Sequence, residues 1–193
     1  MNGPALILAS ASPRRAALLR QLGLTVRIVP SKAEETLLPG LTPAAQAEQL
    51  ARRKALAVQA MLPGEETLIL AADTVVALEG EILGKPRDED DAVAMLLRLA
   101  GREHEVYTGV ALVSPTAERV FSSGAAVRFA AFGEQTARAY VRTGEPMDKA
   151  GAYGIQGLGG ALVERVCGDY YSVVGLPLCA LRRELGAFGV SIL

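Results

Sequence analysis

Two arginines stand at the start of a predicted helix, where the chain reads Ser10-Ala11-Ser12-Pro13-Arg14-Arg15. Ser12 is a favourable N-cap residue and Pro13 suits the first helical position, so we predict that a helix begins here. The N-terminal end of a helix is partly positive and disfavours each guanidinium by about 0.3–1 kcal/mol. The helix N–H groups and the guanidiniums could instead bind one anion together, which makes Arg14 and Arg15 candidate anion ligands.

Lysine is scarce in this chain, with four lysines against 16 arginines, and three of the four lie in segments that could do chemistry. Lys54 lies within a predicted helix, Lys85 in a Gly-Lys-Pro turn, and Lys149 in a glycine-rich segment. Taken singly, Lys54 could extend from an apolar helix face to solvent, and Lys85 could belong to an ordinary surface turn. Taken together with the two arginines, the three lysines predict a cationic cluster for a phosphate ester or nucleotide.

Asp73 is the only charged residue in the apolar run TLILAADTVVAL, residues 67–78. A carboxylate in such a strand needs a cation, a metal ion or hydrogen-bond donors, because its burial is otherwise costly. Asp73 could cap a turn at the strand end, or it could be a functional carboxylate. With Glu35, from an acidic pair after the second predicted strand, it would suit a divalent ion beside a phosphoanhydride.

The segment TGEPMDKAGAYGIQGLGG, residues 143–160, contains six glycines together with Glu145, Asp148 and Lys149. Glycines let backbone N–H groups approach an anion closely, and Lys149 adds positive charge. Tyr153 and Gln156 are polar groups that could contact an uncharged ring. The alternative is a flexible loop, since the segment matches neither a P-loop nor a dinucleotide-binding fingerprint.

Helices and strands alternate along the chain, which predicts a mixed α/β fold with a central sheet and flanking helices. The predicted strands are 5–9, 25–29, 67–78, a return strand ending at ILGKP, 105–113, 119–129 and 161–166. The predicted helices begin at or near Pro13, Pro43, Asp88, Gly133 and Pro177. Hairpin signals at residues 79–80 and 114–115 indicate that the sheet is not wholly parallel. No compositional boundary divides the chain, so we predict a single domain over residues 1–193.

Composition limits the class of protein. The net charge of −1 gives no global attraction to nucleic acid or an anionic membrane. The two cysteines, Cys167 and Cys179, fit a reducing compartment, and His104 is the only histidine, so a Cys/His zinc site is not expected. The N-terminal MNGPALILAS lacks the features of a signal peptide, and no apolar run approaches the ~18 residues of a membrane span. We therefore expect a cytoplasmic protein.

Six motifs in order resemble those of the Maf family of nucleoside triphosphate pyrophosphatases: ASASPRR, AADTVV, ILGKPRD, GREHEVYTGV, TGEPMDKAGAYGIQG and GDYYSVVGLPL. The resemblance covers about residues 5–180. It implies an α/β fold like that of the inosine triphosphate pyrophosphatases, with two lobes around a cleft. It implies hydrolysis of a nucleoside triphosphate to the monophosphate and pyrophosphate with Mg²⁺ or Mn²⁺. DKAGAYGIQG is similar to the branch that hydrolyses dTTP and UTP.

The resemblance also implies roles for individual residues. Asp73 would be the catalytic base, with Glu35 and Asp73 as candidate metal ligands. Together with the candidates proposed from the residues themselves, the predicted substrate-binding set comprises Ser10, Arg14, Arg15, Lys54, Thr74, Lys85, Lys149 and Gln156. Of these, Arg14, Thr74 and Gln156 are the positions tied to substrate choice, and Lys54 and Lys85 are those that contact phosphate. Family members are often dimers, so a homodimer is expected.

Two alternatives remain at this point. The same hydrolysis could act on other or modified nucleotides such as 7-methyl-GTP. The chain could also be a nucleic-acid-binding or regulatory protein of septum formation, from which the family takes its name. Against the second alternative, the chain has few aromatic residues and no basic stripe interleaved with stacking side chains.

Overall fold

The computed structural model describes residues 5–193. Residues 1–4 lie outside this range. They belong to the N-terminal MNGPALILAS, which is predicted not to be a signal peptide. The strands are β1 Ala5–Leu8, β2 Val26–Ile28, β3 Thr67–Leu78, β4 Glu81–Leu83, β5 Glu103–Val113, β6 Glu118–Phe129 and β7 Val163–Gly168. The helices are α1 Pro13–Gln21, α2 Pro43–Ala60, α3 Glu89–Leu99, α4 Glu134–Val141, α5 Tyr170–Val174 and α6 Leu178–Gly186. Two 3-10 turns cover Ala150–Ala152 and Leu158–Leu162.

The described strands form one mixed sheet. Its hydrogen-bonded order is β2-β1-β3-β5-β6-β7, and β4 pairs with β3 outside this path. β1 is parallel to both β2 and β3, whereas the β3–β4 and β6–β7 pairs are antiparallel. The prediction of a mixed α/β fold with a central sheet and flanking helices is confirmed.

A tight hairpin joins β3 to β4. Its two turn residues, Glu79 and Gly80, have φ values of 52° and 83°. Positive φ at both central residues is typical of a type I′ turn, whose backbone twist matches that of the two strands it joins. The register pairs Val76 with Leu83, so Lys85 follows the end of the paired segment by two residues. The hairpin predicted at residues 79–80 is confirmed.

The chain divides into two compact units. Among the described residues, unit 1 comprises 5–73, 108–123 and 175–193, and unit 2 comprises 74–107 and 124–174. β3, β5 and β6 contribute residues to both units. The interpretation of residues 1–193 as a single domain remains a prediction.

In unit 1, helix α2 lies directly against strand β5 at Gly109. A Cβ atom at Gly109 would lie 2.2 Å from the carbonyl carbon of Ala47, so only glycine permits this approach. Ala51, Ala55 and Val58 of α2 are buried in the same core, with small side chains that suit the short distance. This packing fixes the helix that carries Lys54.

In unit 2, a cluster of aromatic rings lies in the core. The ring of His104 meets those of Phe129 and Tyr153 edge-on, at centroid distances of 5.0 and 5.3 Å. His104 Nε2 and the Tyr153 hydroxyl share a 2.8 Å hydrogen bond, while His104 Nδ1 has no partner among the described residues. Burial lowers the pKa of His104 to about 4, so the imidazole is neutral at pH 7 and packs as part of the core.

Two local predictions differ from the structure. β7 was expected to begin at Ala161, but a 3-10 turn occupies Leu158–Leu162 and the strand begins at Val163. No helix is predicted between the one at Gly133 and the one at Pro177, yet residues 170–174 form the short helix α5. None of the described helices combines the length and the apolar character needed to cross a bilayer.

The neutral, buried His104 makes stability depend on pH. The ordinary histidine pKa of about 6.5 applies to the unfolded chain, so below that value the unfolded state takes up a proton that the folded state resists. Between pH 7 and pH 4 this linkage should lower the free energy of unfolding by about 3 kcal/mol. In urea denaturation, His104→Gln should remove this decrease in the free energy of unfolding between pH 7 and pH 4. If the free energy of unfolding of the two proteins fell equally with pH, His104 would not be the group responsible.

Candidate functional site

The ammonium group of Lys54 lies between two carboxylates in unit 1. Nζ donates to Glu35 Oε1 at 2.7 Å and to Asp73 Oδ1 at a shorter distance. The side chains of Lys54 and Asp73 are each 12% exposed, whereas that of Glu35 is 48% exposed. Lys54 therefore does not extend to solvent from an apolar face, and Asp73 gains the cation that a buried carboxylate requires.

Three different elements supply these groups. Asp73 comes from the buried strand β3 and Lys54 from α2, while Glu35 lies in the loop between β2 and α2. α2 also holds the backbone of this loop, because the Arg53 guanidinium donates to the Thr36 carbonyl oxygen at 2.8 Å. The backbone N–H of Leu38 donates to Gln46 Oε1 at 3.0 Å. One helix thus positions both the cation and the more exposed carboxylate.

Arg15 belongs to the same unit. Its Nε donates to the Gly175 carbonyl oxygen at 2.8 Å, and its NH1 group donates to Ser10 Oγ at 3.2 Å. Burial lowers the pKa of Arg15, the charges of Asp73 and Glu35 raise it, and the charge of Arg14 lowers it, leaving it below its ordinary value. The guanidinium is a cation at neutral pH, because arginine is not deprotonated in proteins.

Among the described residues, the N-terminus of α1 has neither a side-chain cap nor an acidic residue in its first turn. Ser12 is the N-cap residue, but its side chain makes no capping hydrogen bond, and the first turn contains no acidic residue. The Ser12 N–H instead donates to Ser10 Oγ at 3.2 Å. Arg14 and Arg15 lie in this first turn, so the helix end and two guanidiniums offer positive charge to a ligand.

The remaining predicted site residues lie in unit 2. Thr74 follows Asp73 on β3, Lys85 follows β4, and Gln156 is exposed within the glycine-rich segment. The Lys149 ammonium donates to Asp148 Oδ1 at 2.7 Å and to the carbonyl oxygen of Glu145. Both acceptors of this ammonium belong to the glycine-rich segment itself. Contact of these four residues with a substrate remains a prediction.

Unit 1 brings together most of the predicted site. Its members are Ser10, Arg14, Arg15, Glu35, Lys54 and Asp73. Gly175, whose carbonyl oxygen accepts from Arg15, is not among the predicted site residues, although it belongs to the quoted GDYYSVVGLPL motif. Tyr140, whose hydroxyl lies against the glycine-rich segment, is likewise absent from the prediction.

The carboxylates of Glu35 and Asp73 fit a divalent cation. Both already converge on a single positive group, the Lys54 ammonium. Mg²⁺ is commonly held by one or two carboxylates with substrate phosphates and water completing its coordination. The described residues contain no group of three or more histidine, cysteine or acidic side chains that could hold a metal ion. An ion here would therefore depend on the substrate for part of its coordination.

Comparisons with known proteins agree with this description. A family model described as Maf-like protein matches residues 5–188. The dTTP/UTP pyrophosphatase of Symbiobacterium thermophilum is 50% identical over 97% of this chain and 95% of its own length. That of Methylobacillus flagellatus is 46% identical over 100% of this chain and 96% of its own length. The Staphylococcus aureus Ham1 protein, 17% identical, shares the fold with a TM-score of 0.51 over 82% of this chain and 79% of its own.

Removing Lys54 should be far more costly than removing an exposed cation from the same helix. Lys54→Met removes the ammonium on which two carboxylates converge, one of them largely buried, and we expect a loss of about 3 kcal/mol in the free energy of unfolding at pH 7. The matched control is Arg52→Met, since Arg52 pairs with Glu118 at the surface and should contribute less than about 1 kcal/mol. Urea denaturation measures both, and equal losses would show that the buried ammonium has no special role in stability.

Proposed function

Since this chain belongs to the Maf family, we propose that it is a nucleoside triphosphate pyrophosphatase that hydrolyses dTTP and UTP to the monophosphate and pyrophosphate. The curated relatives carry the name dTTP/UTP pyrophosphatase and align over nearly the whole of this chain. The resemblance stated from the motifs alone is thereby confirmed.

One observation supports this function most directly. The buried carboxylate of Asp73 and that of Glu35 both accept hydrogen bonds from the Lys54 ammonium. The negative charges of both acids also act to raise the pKa of Arg15. Hydrolysis of a phosphoanhydride needs a group that accepts a proton from water and cations that stabilise the charge on phosphate. This cluster contains both kinds of group in one unit.

Asp73 would act as the base. Its carboxylate would orient a water molecule and take up its proton while the water oxygen attacks phosphorus, and the bond from that phosphorus to the bridging oxygen of pyrophosphate would break. Lys54, Arg14 and Arg15, together with the N–H groups at the start of α1, would stabilise the phosphates and the leaving pyrophosphate. Lys85 and Lys149 would contribute further positive charge.

Mg²⁺ or Mn²⁺ would be held by Glu35 and Asp73. When bound, such an ion supplies charge neutralisation at the phosphate oxygens. Ser10 would support Arg15, whose guanidinium donates to its hydroxyl oxygen.

Base recognition would fall to Gln156, with Arg14 and Thr74 at the other positions tied to substrate choice in the family. The side-chain amide of Gln156 offers one acceptor oxygen and an NH₂ donor, which complement the donor and acceptor of a uracil or thymine edge.

We further propose a homodimer in the cytoplasm. The exposed, unbridged thiols of Cys167 and Cys179 fit a reducing compartment. Sedimentation at several protein concentrations tests the dimer.

A nucleotide panel tests the proposed activity. With Mg²⁺ present, pyrophosphate release should be faster for dTTP and UTP than for GTP or 7-methyl-GTP, by at least about tenfold in kcat/KM. Without a divalent ion it should fall strongly for every substrate. A preference for 7-methyl-GTP would place the chain in a different branch, and salt-sensitive DNA binding without hydrolysis would favour a regulatory protein.

Asp73→Asn tests the base. The amide cannot accept the proton, so kcat for dTTP should fall at least about 100-fold while circular dichroism stays that of the unaltered protein. Asp90→Asn is the matched control, since Asp90 is an exposed residue that pairs with Arg138. Near-normal turnover of Asp73→Asn would rule out Asp73 as the base.

A further inference from the structure

The carboxylate of Glu145 accepts hydrogen bonds from both the backbone and a side chain around it. Its Oε1 accepts from the Tyr140 hydroxyl at 2.8 Å and from the Gly159 N–H at 3.1 Å, and its Oε2 accepts from the Leu158 N–H at 3.0 Å. Two of the three donors are backbone groups just after Gln156. The carboxylate therefore holds the C-terminal side of that residue.

The N-terminal side is held by the same pair. The Tyr140 hydroxyl accepts from the Gly154 N–H at 3.1 Å while it donates to Glu145. Tyr140 belongs to α4 and is 6% exposed in the core of unit 2, so it gives the loop a rigid anchor. Gln156 lies between these two attachment points and is exposed.

The glycines of this loop fit tightly around the pair. A Cβ atom at Gly157 would lie 2.8 Å from Glu145 Oε2, and one at Gly159 would lie 2.4 Å from the Tyr140 hydroxyl oxygen. Both distances are too short for a real side chain, so the loop backbone is already in van der Waals contact with the carboxylate and the phenol. These glycines permit close attachment rather than flexibility.

The charge states support the arrangement. Partial burial acts to raise the pKa of Glu145, but the hydrogen bonds it accepts and the charge of Lys149 hold that pKa below its ordinary value. Burial raises the pKa of the Tyr140 hydroxyl, so the phenol keeps the proton it donates. An ionised acceptor and a protonated donor persist through the neutral pH range.

We propose that Glu145 and Tyr140 are positioning residues that hold Gln156 in place for base selection. The inference rests on the proposed function, because it takes Gln156 to contact the base. Neither residue contacts the base; each fixes the backbone on one side of Gln156, and discrimination among bases depends on both.

The test compares base discrimination among variants. Tyr140→Phe removes the hydroxyl and keeps the ring, and Glu145→Gln keeps the shape but loses the charge and one acceptor. Each should lower the ratio of kcat/KM for dTTP to that for GTP about tenfold, with KM for dTTP rising more than kcat falls. Glu134→Gln, at an exposed acid of α4 that pairs with Arg138, is the control and should leave the ratio unchanged.

A double-variant comparison separates positioning from general loss of structure. In a Gln156→Ala background, Tyr140→Phe should cause no further loss of discrimination, because the group it positions is gone. Amide hydrogen exchange should show that Leu158 and Gly159 lose protection in Glu145→Gln and not in Glu134→Gln.

The outcomes are distinct. If the unaltered protein releases no pyrophosphate from any nucleotide, the proposed function fails and this inference fails with it. If the unaltered protein discriminates among bases and both variants discriminate equally well, only the inference is overturned. Equal loss of activity toward every nucleotide at a constant ratio also overturns it.

Discussion

The burial of Asp73 in β3 is the constraint on which the rest of the site depends. An ionised carboxylate in a largely apolar strand is costly unless a cation reaches it, and Lys54 is that cation. Lys54 can reach Asp73 because α2 lies unusually close to β5, where Gly109 leaves room for the backbone at Ala47. The same helix holds the loop that carries Glu35. The packing of a helix, a loop and a strand therefore supplies the cation that one acidic side chain requires.

The glycine-rich segment gives a second example of order imposed by close contact. Its composition is compatible with a flexible loop, yet Gly157 lies too close to Glu145, and Gly159 too close to Tyr140, for any side chain. Glycines whose missing side chains would point into solvent make a loop flexible. Glycines whose missing side chains would meet other atoms instead let the loop backbone pack closely.

Local signals in the sequence were sufficient for most of the fold. The run of residues 67–78 predicts β3, and the Glu79-Gly80 pair predicts its hairpin, because strand and turn preferences act over a few residues. The helix α5 was missed since five residues are too few to show a periodic pattern. The strand β7 was placed too early because Ala161 and Leu162 are apolar enough to continue it.

The site was predictable as a set of residue types, whereas its connections were not. Asp73, Lys54 and Glu35 were each predicted from the sequence as candidate site residues, but only the tertiary structure shows that one ammonium joins both acids. The hydrogen bond from Arg15 to Gly175 joins residues 160 positions apart, and no local pattern reveals such a pair. The roles of Glu145 and Tyr140 likewise depend on the path of the loop around them.

The interleaving of the two units along the chain has a consequence for biosynthesis. Unit 1 includes residues 175–193, and the Gly175 carbonyl oxygen that accepts from Arg15 lies in this final segment. A chain made from its N-terminus on the ribosome therefore cannot complete unit 1 until residues 175–193 have been translated. Unit 2 is complete at residue 174, so it can finish folding first although unit 1 contains the earlier residues. Until then Arg15 lacks this acceptor, and unit 1 is the later of the two units to be completed.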